Sequence, residues 1–458
     1  MSAALNRPPS DSPPASPVRR NGSARLVMVA VVLVAVGLGG WYGRSWWQQK
    51  TEQQRVTACR EASLKEDWKT LQRLARQWTN DQPDSADAWL NLAEAEVELG
   101  RYQEGAEALG QVDRKDPRAA MALLQKATIE WNELNLPLEG MKSCEQALEL
   151  DPACIQAHAQ VIAFYAMTFQ RPQMLSAIRT SIAGRGEPRE AYVYLMLADQ
   201  PIFSNAIDLN ARWMASAPEH AEFRVGLAIQ TALHRFLTAT AEANSDAYAN
   251  EQEALQRLAE FAVEFPGNEP LLSVLLDYYV EEGDEERVAS LLSQVSDASV
   301  RDHIIWTARG WYLGVRGDLD AAEASIRNAL KLHPSSTRAH LELASILRQK
   351  GQLEEATRAQ ALSARGVELR KQLLKLDNAR DATGNDLLAI MDLCRDCGDE
   401  EVADALQKRL EEMPGLTIDM LRENAARTDT AASARQSAAD RPSTDESPAD
   451  SSAPADSR

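Results

Sequence analysis

Two segments of this chain repeat the same spacing of three marker residues, and this spacing limits the fold more than any other feature. In each segment a tryptophan precedes a glycine by 11 residues and a proline by 28. The residues are Trp89, Gly100 and Pro117 in one copy and Trp306, Gly317 and Pro334 in the other. Such a period indicates a stacked array, in which each unit buries its apolar sides against its neighbours.

The pattern resembles the tetratricopeptide repeat, a helix–turn–helix unit with a large residue at position 4, small residues where its helices cross, and proline at position 32. Glycine at position 15 would take a left-handed cap conformation, and the proline would end the second helix. The resemblance covers nearly all of residues 52–415 and implies an all-α, right-handed superhelical solenoid. A generic helical bundle is the alternative. In that case five or more copies of the repeat pattern would have to occur in the same frame by chance.

The repeat pattern weakens over residues 169–250. Four breaker residues there fall out of frame: Pro172, Gly184, Gly186 and Pro201. The distance from Pro218 to Pro266 is 48 residues, which is one repeat plus an excess that we place near residues 238–250. This stretch is predicted to hold diverged hairpins, and a separate α/β insert is the alternative.

An uncharged segment of 18 residues, 26–43, lies near the start of the chain. As a helix rising about 1.5 Å per residue it would span about 27 Å, close to the thickness of a membrane core. Four aromatic residues lie at or beyond its end, as interfacial residues do: Trp41, Tyr42, Trp46 and Trp47. We predict one transmembrane helix here. A cleaved signal peptide and a buried soluble helix are the alternatives.

The flanking sequence predicts the rest of the organisation. Residues 1–25 hold five of the 20 prolines, and residues 424–458 contain almost no large apolar side chain. Both segments are predicted to be disordered. Four arginines before the apolar segment, among them Arg19 and Arg20, predict a cytoplasmic N-terminus and an extracytoplasmic solenoid. The net charge of −19 argues against nucleic acid as a partner.

No catalytic or phosphate-binding motif occurs in the chain, and the six histidines lack metal-ligand spacing along the sequence. We therefore predict neither an enzyme nor a cofactor or metal site. His158 and His340 fall at repeat position 4 and are predicted to be structural. Cys394 and Cys397 end a first helix just before a cap glycine; core cysteines, a local disulfide and a metal or redox pair are the three interpretations.

The family resemblance implies that a protein or peptide segment binds in a concave groove lined by positions 2, 5, 9, 12 and 13 of each first helix. Seven residues are the candidates at these positions: Trp311, Thr307, Asp277, Arg338, Leu341, Ser345 and Arg348. A tryptophan beside two arginines is typical of a binding hot spot and predicts a local cationic site for an acidic or aromatic peptide. The predicted function is a membrane-tethered scaffold in an envelope or membrane complex. The alternative is an enzyme or regulatory subunit with an unrecognised site in residues 169–250.

Overall fold

A computed structural model of the chain describes residues 51–201, 203, 205–242, 245–296, 298–413 and 417–423, with side chains outside 236–250. These residues form α-helices and one 3-10 turn, and they contain no strand. The prediction of an all-α chain is confirmed over this range. The predicted transmembrane segment 26–43 and the predicted disordered ends, 1–25 and 424–458, lie outside the described residues. Within the described ranges, no helix is long and apolar enough to cross a membrane.

The chain divides into two compact units, one ending at Gly100 and the other beginning at Arg101. The described helices of the first unit are α1 (51–64), α2 (Trp68–Asp81) and α3 (Ala86–Glu98). The second unit begins with α4 (Tyr102–Leu109), α5 (Ala119–Asn132), α6 (Pro137–Leu150), α7 (Ile155–Met167), α8 (Arg171–Ala183), α9 (Arg189–Met196), α10 (Ala206–Ser216) and α11 (Ala221–Glu242). It continues with α12 (Ser245–Glu264), α13 (Glu269–Glu282), α14 (Glu285–Leu292), α15 (His303–Val315), α16 (Leu319–Leu332), α17 (Thr337–Gln349), α18 (Leu353–Leu373), the 3-10 turn (Ala379–Asp381), α19 (Gly384–Asp396), α20 (Glu400–Glu411) and α21 (418–423).

The glycines at repeat position 15 adopt the left-handed conformation that the pattern predicts. Their φ angles lie between 71° and 82°, a range that side chains with a Cβ avoid. They are Gly100, Gly283, Gly317, Gly351 and Gly398. Gly100 follows α3 at the end of the first unit. Each of the other four ends a first helix and turns the chain into the second helix of its hairpin, so these turns are built as the sequence predicts.

The ring at repeat position 4 ties its helix to the end of the preceding repeat. Trp89 Nε1 donates to the carbonyl of Pro83, six residues earlier, at 2.7 Å. His158 and His340 make the same contact through Nε2, at 2.9 Å to Pro152 O and 2.8 Å to Pro334 O. The two histidines are therefore structural, as predicted, because each replaces the tryptophan N–H donor at this position.

Over its described residues, the diverged stretch 169–250 consists of α-helices joined by turns and contains no strand. This is the organisation expected of diverged hairpins and not of a separate α/β insert. The excess residues near 238–250 do not form a loop of their own. They lengthen one hairpin, whose helices α11 and α12 contain 22 and 20 residues.

The second unit also contains contacts that a linear array of repeats lacks. In such an array each repeat contacts its chain neighbours. Here α8 contacts α20, and α9 contacts α18 and α19. Ile178 and Leu195 share one buried cluster with Leu387, and Arg179 Nη2 donates to Asp399 Oδ2 at 2.8 Å. The middle of the unit is thus fastened to its C-terminal helices, which brings distant polar residues together.

Candidate functional site

A buried arginine at the first position of α8 forms another long-range link within the second unit. Arg171 is 2% exposed and forms an ion pair with Asp302, which is 1% exposed. Its Nε donates to Ala198 O at 2.6 Å, its Nη2 to Asp199 O at 2.9 Å and its Nη1 to Ser273 Oγ at 3.2 Å. One guanidinium therefore joins the segment after α9 to the starts of α13 and α15, and all its contacts lie within the protein core.

The side chain of Asp199 forms a second link to these helices. Its Oδ1 accepts from His303 Nε2 at 2.8 Å, and its Oδ2 accepts from the backbone N and the hydroxyl of Thr337 at 3.1 and 2.8 Å. Burial alone would raise the pKa of Asp199, but the hydrogen bond and charge of His303 hold it well below its usual value. The carboxylate is thus ionised in the core, at the N-terminal ends of α15 and α17.

His333 completes a cluster with Asp199 and His303. The two imidazole rings lie 4.8 Å apart between centroids, and burial lowers the pKa of His333 to about 3. One ligand atom from each of the three side chains lies within 4.8 Å of the others. The sequence analysis missed this cluster because it judged histidines by their spacing along the chain, and Asp199 and His303 are 104 positions apart.

The predicted groove residues lie on α13, α15 and α17, the first helices of three successive hairpins, with α15 in contact with both others. We call their accessible surface the first-helix face; it consists of Asp277, Glu281, Trp311, Val315, Leu341, Ser345 and Arg348. Glu281 and Val315 were not among the sequence candidates, although both occupy position 13 of their repeats. Val315 is 47% exposed and Leu341 48% exposed, which gives the face an apolar character.

The other sequence candidates differ in how far the structure exposes their side chains to solvent. Trp311 is partly buried, packed against the core that α13 and α15 share, and Ser345 is half-buried. Arg348 is exposed and donates to Gln360 Oε1 at 2.6 Å. Thr307 is 2% exposed, and its hydroxyl donates to His303 O at 2.8 Å. We therefore leave Thr307 out of the accessible surface.

The predicted cationic character of this surface needs correction at Arg338. Its Nη2 lies 2.9 Å from Asp277 Oδ1 and 2.9 Å from Glu281 Oε1. Two carboxylates thus offset one guanidinium, and the local charge does not favour an acidic peptide. The sequence analysis counted Arg338 as a free cation because its partners lie on another helix.

The segment after α9 covers one end of this region. Gln200 Nε2 donates to Asp277 Oδ2 at 3.2 Å, and Arg370 Nη2 donates to Gln200 Oε1 at 2.8 Å. Together with Asp199, which binds the start of α17, this segment therefore contacts α13, α17 and α18. The exposed residues of the first-helix face are Glu281, Val315, Leu341 and Arg348, and Trp311 and Ser345 are partly exposed beside them.

All five cysteines are free in this structure. Cys394 is buried in the cluster that α8 and α9 share with α19 and α20, and Cys397 packs against it. Cys397 caps α19 just before Gly398, the position that the sequence predicts. Burial raises the pKa of both thiols to about 12. Their positions match the interpretation of the pair as core and cap cysteines.

Comparison with protein families finds a match to the repeat segments of this chain. A family model described as tetratricopeptide repeat matches residues 69–120 and 307–366. Among curated proteins, no sequence matches this chain. The match to the family therefore rests on these two segments. The first contains Trp89, Gly100 and Pro117, and the second contains Gly317 and Pro334.

Solved structures of similar proteins include three with low identity. A tetratricopeptide repeat protein from Parabacteroides merdae is 16% identical, with 57% of this chain and 98% of that chain covered and a TM-score of 0.27. A chain of the APC/C hetero-tetramer Cut9-Hcn1 is 12% identical, with 80% of this chain and 78% of that chain covered and a TM-score of 0.30. The C-terminal part of a TPR repeat-containing protein from Cytophaga hutchinsonii is 10% identical, with 63% of this chain and 99% of that chain covered and a TM-score of 0.27.

Proposed function

We propose that this chain, in which two segments match the tetratricopeptide-repeat family model, is a scaffold that binds a protein segment on the first-helix face. The observation that carries the proposal is the partly exposed Trp311, which lies on the same face as the exposed Val315 and Leu341. Tryptophan is enriched among the residues that contribute most to protein–protein binding. The right-handed superhelix and its concave groove, which the family implies, are part of this proposal.

The chemistry of the face favours an apolar segment over an acidic one. Leu341 and Val315 offer accessible apolar area, while the ion pairs of Arg338 leave no excess positive charge beside them. Burying this area against a partner would remove it from water, which is the main driving force of association. Arg348 lies at the end of the face and would contact the polar rim of the interface.

The proposal places this scaffold on a membrane. The sequence supports a tether, since residues 26–43 are uncharged and apolar, with two aromatic residues near the end of the segment and two just beyond it. A tethered scaffold would hold its partner close to the bilayer, in the assembly of an envelope or membrane complex. The arginine bias places the repeats outside the cytoplasm.

We do not propose the catalytic alternative for residues 169–250. The described part of this stretch is helical, and its most chemically distinctive group is the Asp199–His303 pair. His303 Nδ1 is buried without a hydrogen-bond partner. Among the described residues, no hydroxyl or thiol donates to this nitrogen, as the nucleophile of a serine–histidine–aspartate mechanism would.

The Trp311→Ala variant tests the binding surface. Partner capture should fall at least tenfold, because interface tryptophans often contribute 2 kcal/mol or more to binding, about a 30-fold change. Capture is measured by crosslinking in native membranes, and folding by the thermal melt of the helical signal. Intact capture with an intact melt would contradict the proposed surface, and so would lost capture with a collapsed melt, since Trp311 would then be structural. Ser290→Ala, on the second helix α14, is the control and should change neither.

The tether and its orientation are tested by protease access. In spheroplasts of a bacterial host, added protease should remove the C-terminal mass of the chain, and deletion of residues 26–43 should release the protein from the membrane fraction. Complete protection in intact spheroplasts, with digestion only after lysis, would reverse the orientation. Retention of the deletion variant on membranes would contradict the tether.

A further inference from the structure

We propose that Asp199, His303 and His333 bind one divalent transition-metal ion of the zinc type within the second unit. The three residues come from the segment after α9, the first position of α15 and the residue that follows α16. One ligand atom from each lies within 4.8 Å of the others, and all three side chains are buried. Bonds of about 2.0–2.2 Å place the ligand atoms of a tetrahedral zinc site about 3.3 Å apart, so small side-chain shifts would close the site.

The donor set matches this class of ion. Imidazole nitrogen and carboxylate oxygen together suit zinc and its neighbours in the first transition row, whereas magnesium and calcium prefer oxygen ligands alone. Asp199 also has the outer hydrogen bonds that hold a ligating carboxylate in place. Its Oδ2 accepts from the backbone N and the hydroxyl of Thr337, while its Oδ1 faces His303.

An unpaired imidazole nitrogen provides a second, independent observation. The Nδ1 atoms of both His303 and His333 are buried and have no hydrogen-bond partner. Buried polar groups are paired in the great majority of cases, so the unpaired nitrogen of His333 points to a missing ligand. His303 contacts Asp199 through Nε2, and its Nδ1 lies 3.9 Å from Asp302 Oδ1, so His303 Nδ1 is not counted here. His340 Nδ1 is also unpaired, but its ring is fixed to Pro334 O and lies outside this cluster of ligand atoms.

The local charge favours a cation. Arg171 is the nearest positive group among the contacts of this segment, and Asp302 neutralises it in a buried ion pair. Arg179 is likewise paired, with Asp399 and Glu401. Asp199 is left as the negative charge that faces the two imidazoles. An ion that took the position between Asp199 Oδ1 and His303 Nε2 would release the proton of that hydrogen bond to solvent.

A cavity lies beside chain neighbours of the cluster, although none of the three ligand residues lines it. A cavity of about 780 Å³ is lined by residues of α7 and α8 and also by Arg301 and Leu332. Leu332 precedes His333 in the chain, and Arg301 precedes Asp302. The ion would link three separate parts of the second unit, and its role would be to fasten the segment after α9 to the repeats.

The test uses the full chain, purified without a polyhistidine tag and stripped with a chelator. Zinc binding is measured by calorimetry and by metal analysis after dialysis. We expect one zinc per chain, a rise in melting temperature on zinc addition, and binding weakened at least 100-fold in both Asp199→Asn and His333→Asn. His158→Asn is the matched control, since His158 is also a buried histidine at a helix start, and it should bind zinc like the wild type.

Two results would overturn the proposal. One is a wild type that takes up no zinc, and the other is equal binding by the wild type and His333→Asn, which would mean adventitious surface binding. If both variants fail to fold, the visible spectrum of the cobalt-substituted wild type decides. Intense bands of a four-coordinate site would support the proposal, and the weak spectrum of hydrated cobalt would contradict it.

Discussion

Replacing Arg171 by methionine should lower the free energy of unfolding by about 3–5 kcal/mol, the usual cost of removing one partner of a buried ion pair. Asp302 would remain charged in a core position that is 1% exposed. Two backbone carbonyls, of Ala198 and Asp199, would also lose their donors. Urea unfolding of the wild type and the variant measures the effect.

Arg327→Met is the control for this experiment. Its guanidinium is 51% exposed and pairs with Glu323 one turn earlier on α16. Exposed pairs of this kind contribute about 1 kcal/mol or less, so the control should unfold close to the wild type. Equal midpoints for Arg171→Met and Arg327→Met would show that the buried contacts of Arg171 do not hold the second unit together.

Replacing Gly310 by alanine should lower the free energy of unfolding by about 1–3 kcal/mol, the range for an overpacked core. Gly310 occupies repeat position 8, where α15 crosses α16. A Cβ at this position would lie 2.6 Å from Ile326 Cγ1 and 3.1 Å from the backbone oxygen of Ala322, which cannot move independently of its helix. Thermal unfolding, followed by the helical signal, measures the change.

Gly314→Ala on the same helix is the matched control. The nearest atom to its Cβ is Ile346 Cγ1 at 3.6 Å, an ordinary contact. Alanine is better than glycine in a helix by about 1 kcal/mol, so this variant should melt at the same temperature as the wild type or higher. If Gly310→Ala also stabilises the protein, the helices do not cross as closely as the structure describes.

The local features of the hairpins could be predicted from the sequence because each depends on residues close together in the chain. A glycine 11 residues after the position-4 aromatic marks the left-handed turn, and Gly317 and Gly100 adopt it. The same short range explains why His158 and His340 could be assigned as structural. Their partners, Pro152 and Pro334, lie only six residues away.

The contacts of the diverged stretch could not be predicted in this way. Arg171 and Asp302 are 131 positions apart, and no periodicity links them. The off-frame glycines have a tertiary cause as well. A Cβ at Gly184 would lie 2.6 Å from Pro152 O, and one at Gly186 would lie 2.8 Å from the carbonyl carbon of Ala153. These glycines allow two turns to approach each other, which sequence spacing alone does not reveal.

The charge of the candidate surface could not be predicted from the sequence. Trp311 and Leu341 could be assigned to one face because repeat positions fix the direction of each side chain. The partners of Arg338 could not be assigned, since Asp277 and Glu281 reach it from α13 across the helix stack. Charge at a repeat surface depends on which helices are neighbours, and that follows from the fold.

A photo-crosslinking amino acid placed at Leu341, in cells that produce the full chain, tests the central claim that the first-helix face binds a partner. Leu353, in the same hairpin but on its second helix, is the control, since it is 62% exposed against 48% for Leu341. We predict a discrete crosslinked product from position 341 that disappears in the Trp311→Ala background, and none from position 353. The same product from both positions, or a product from 353 alone, would contradict the claim.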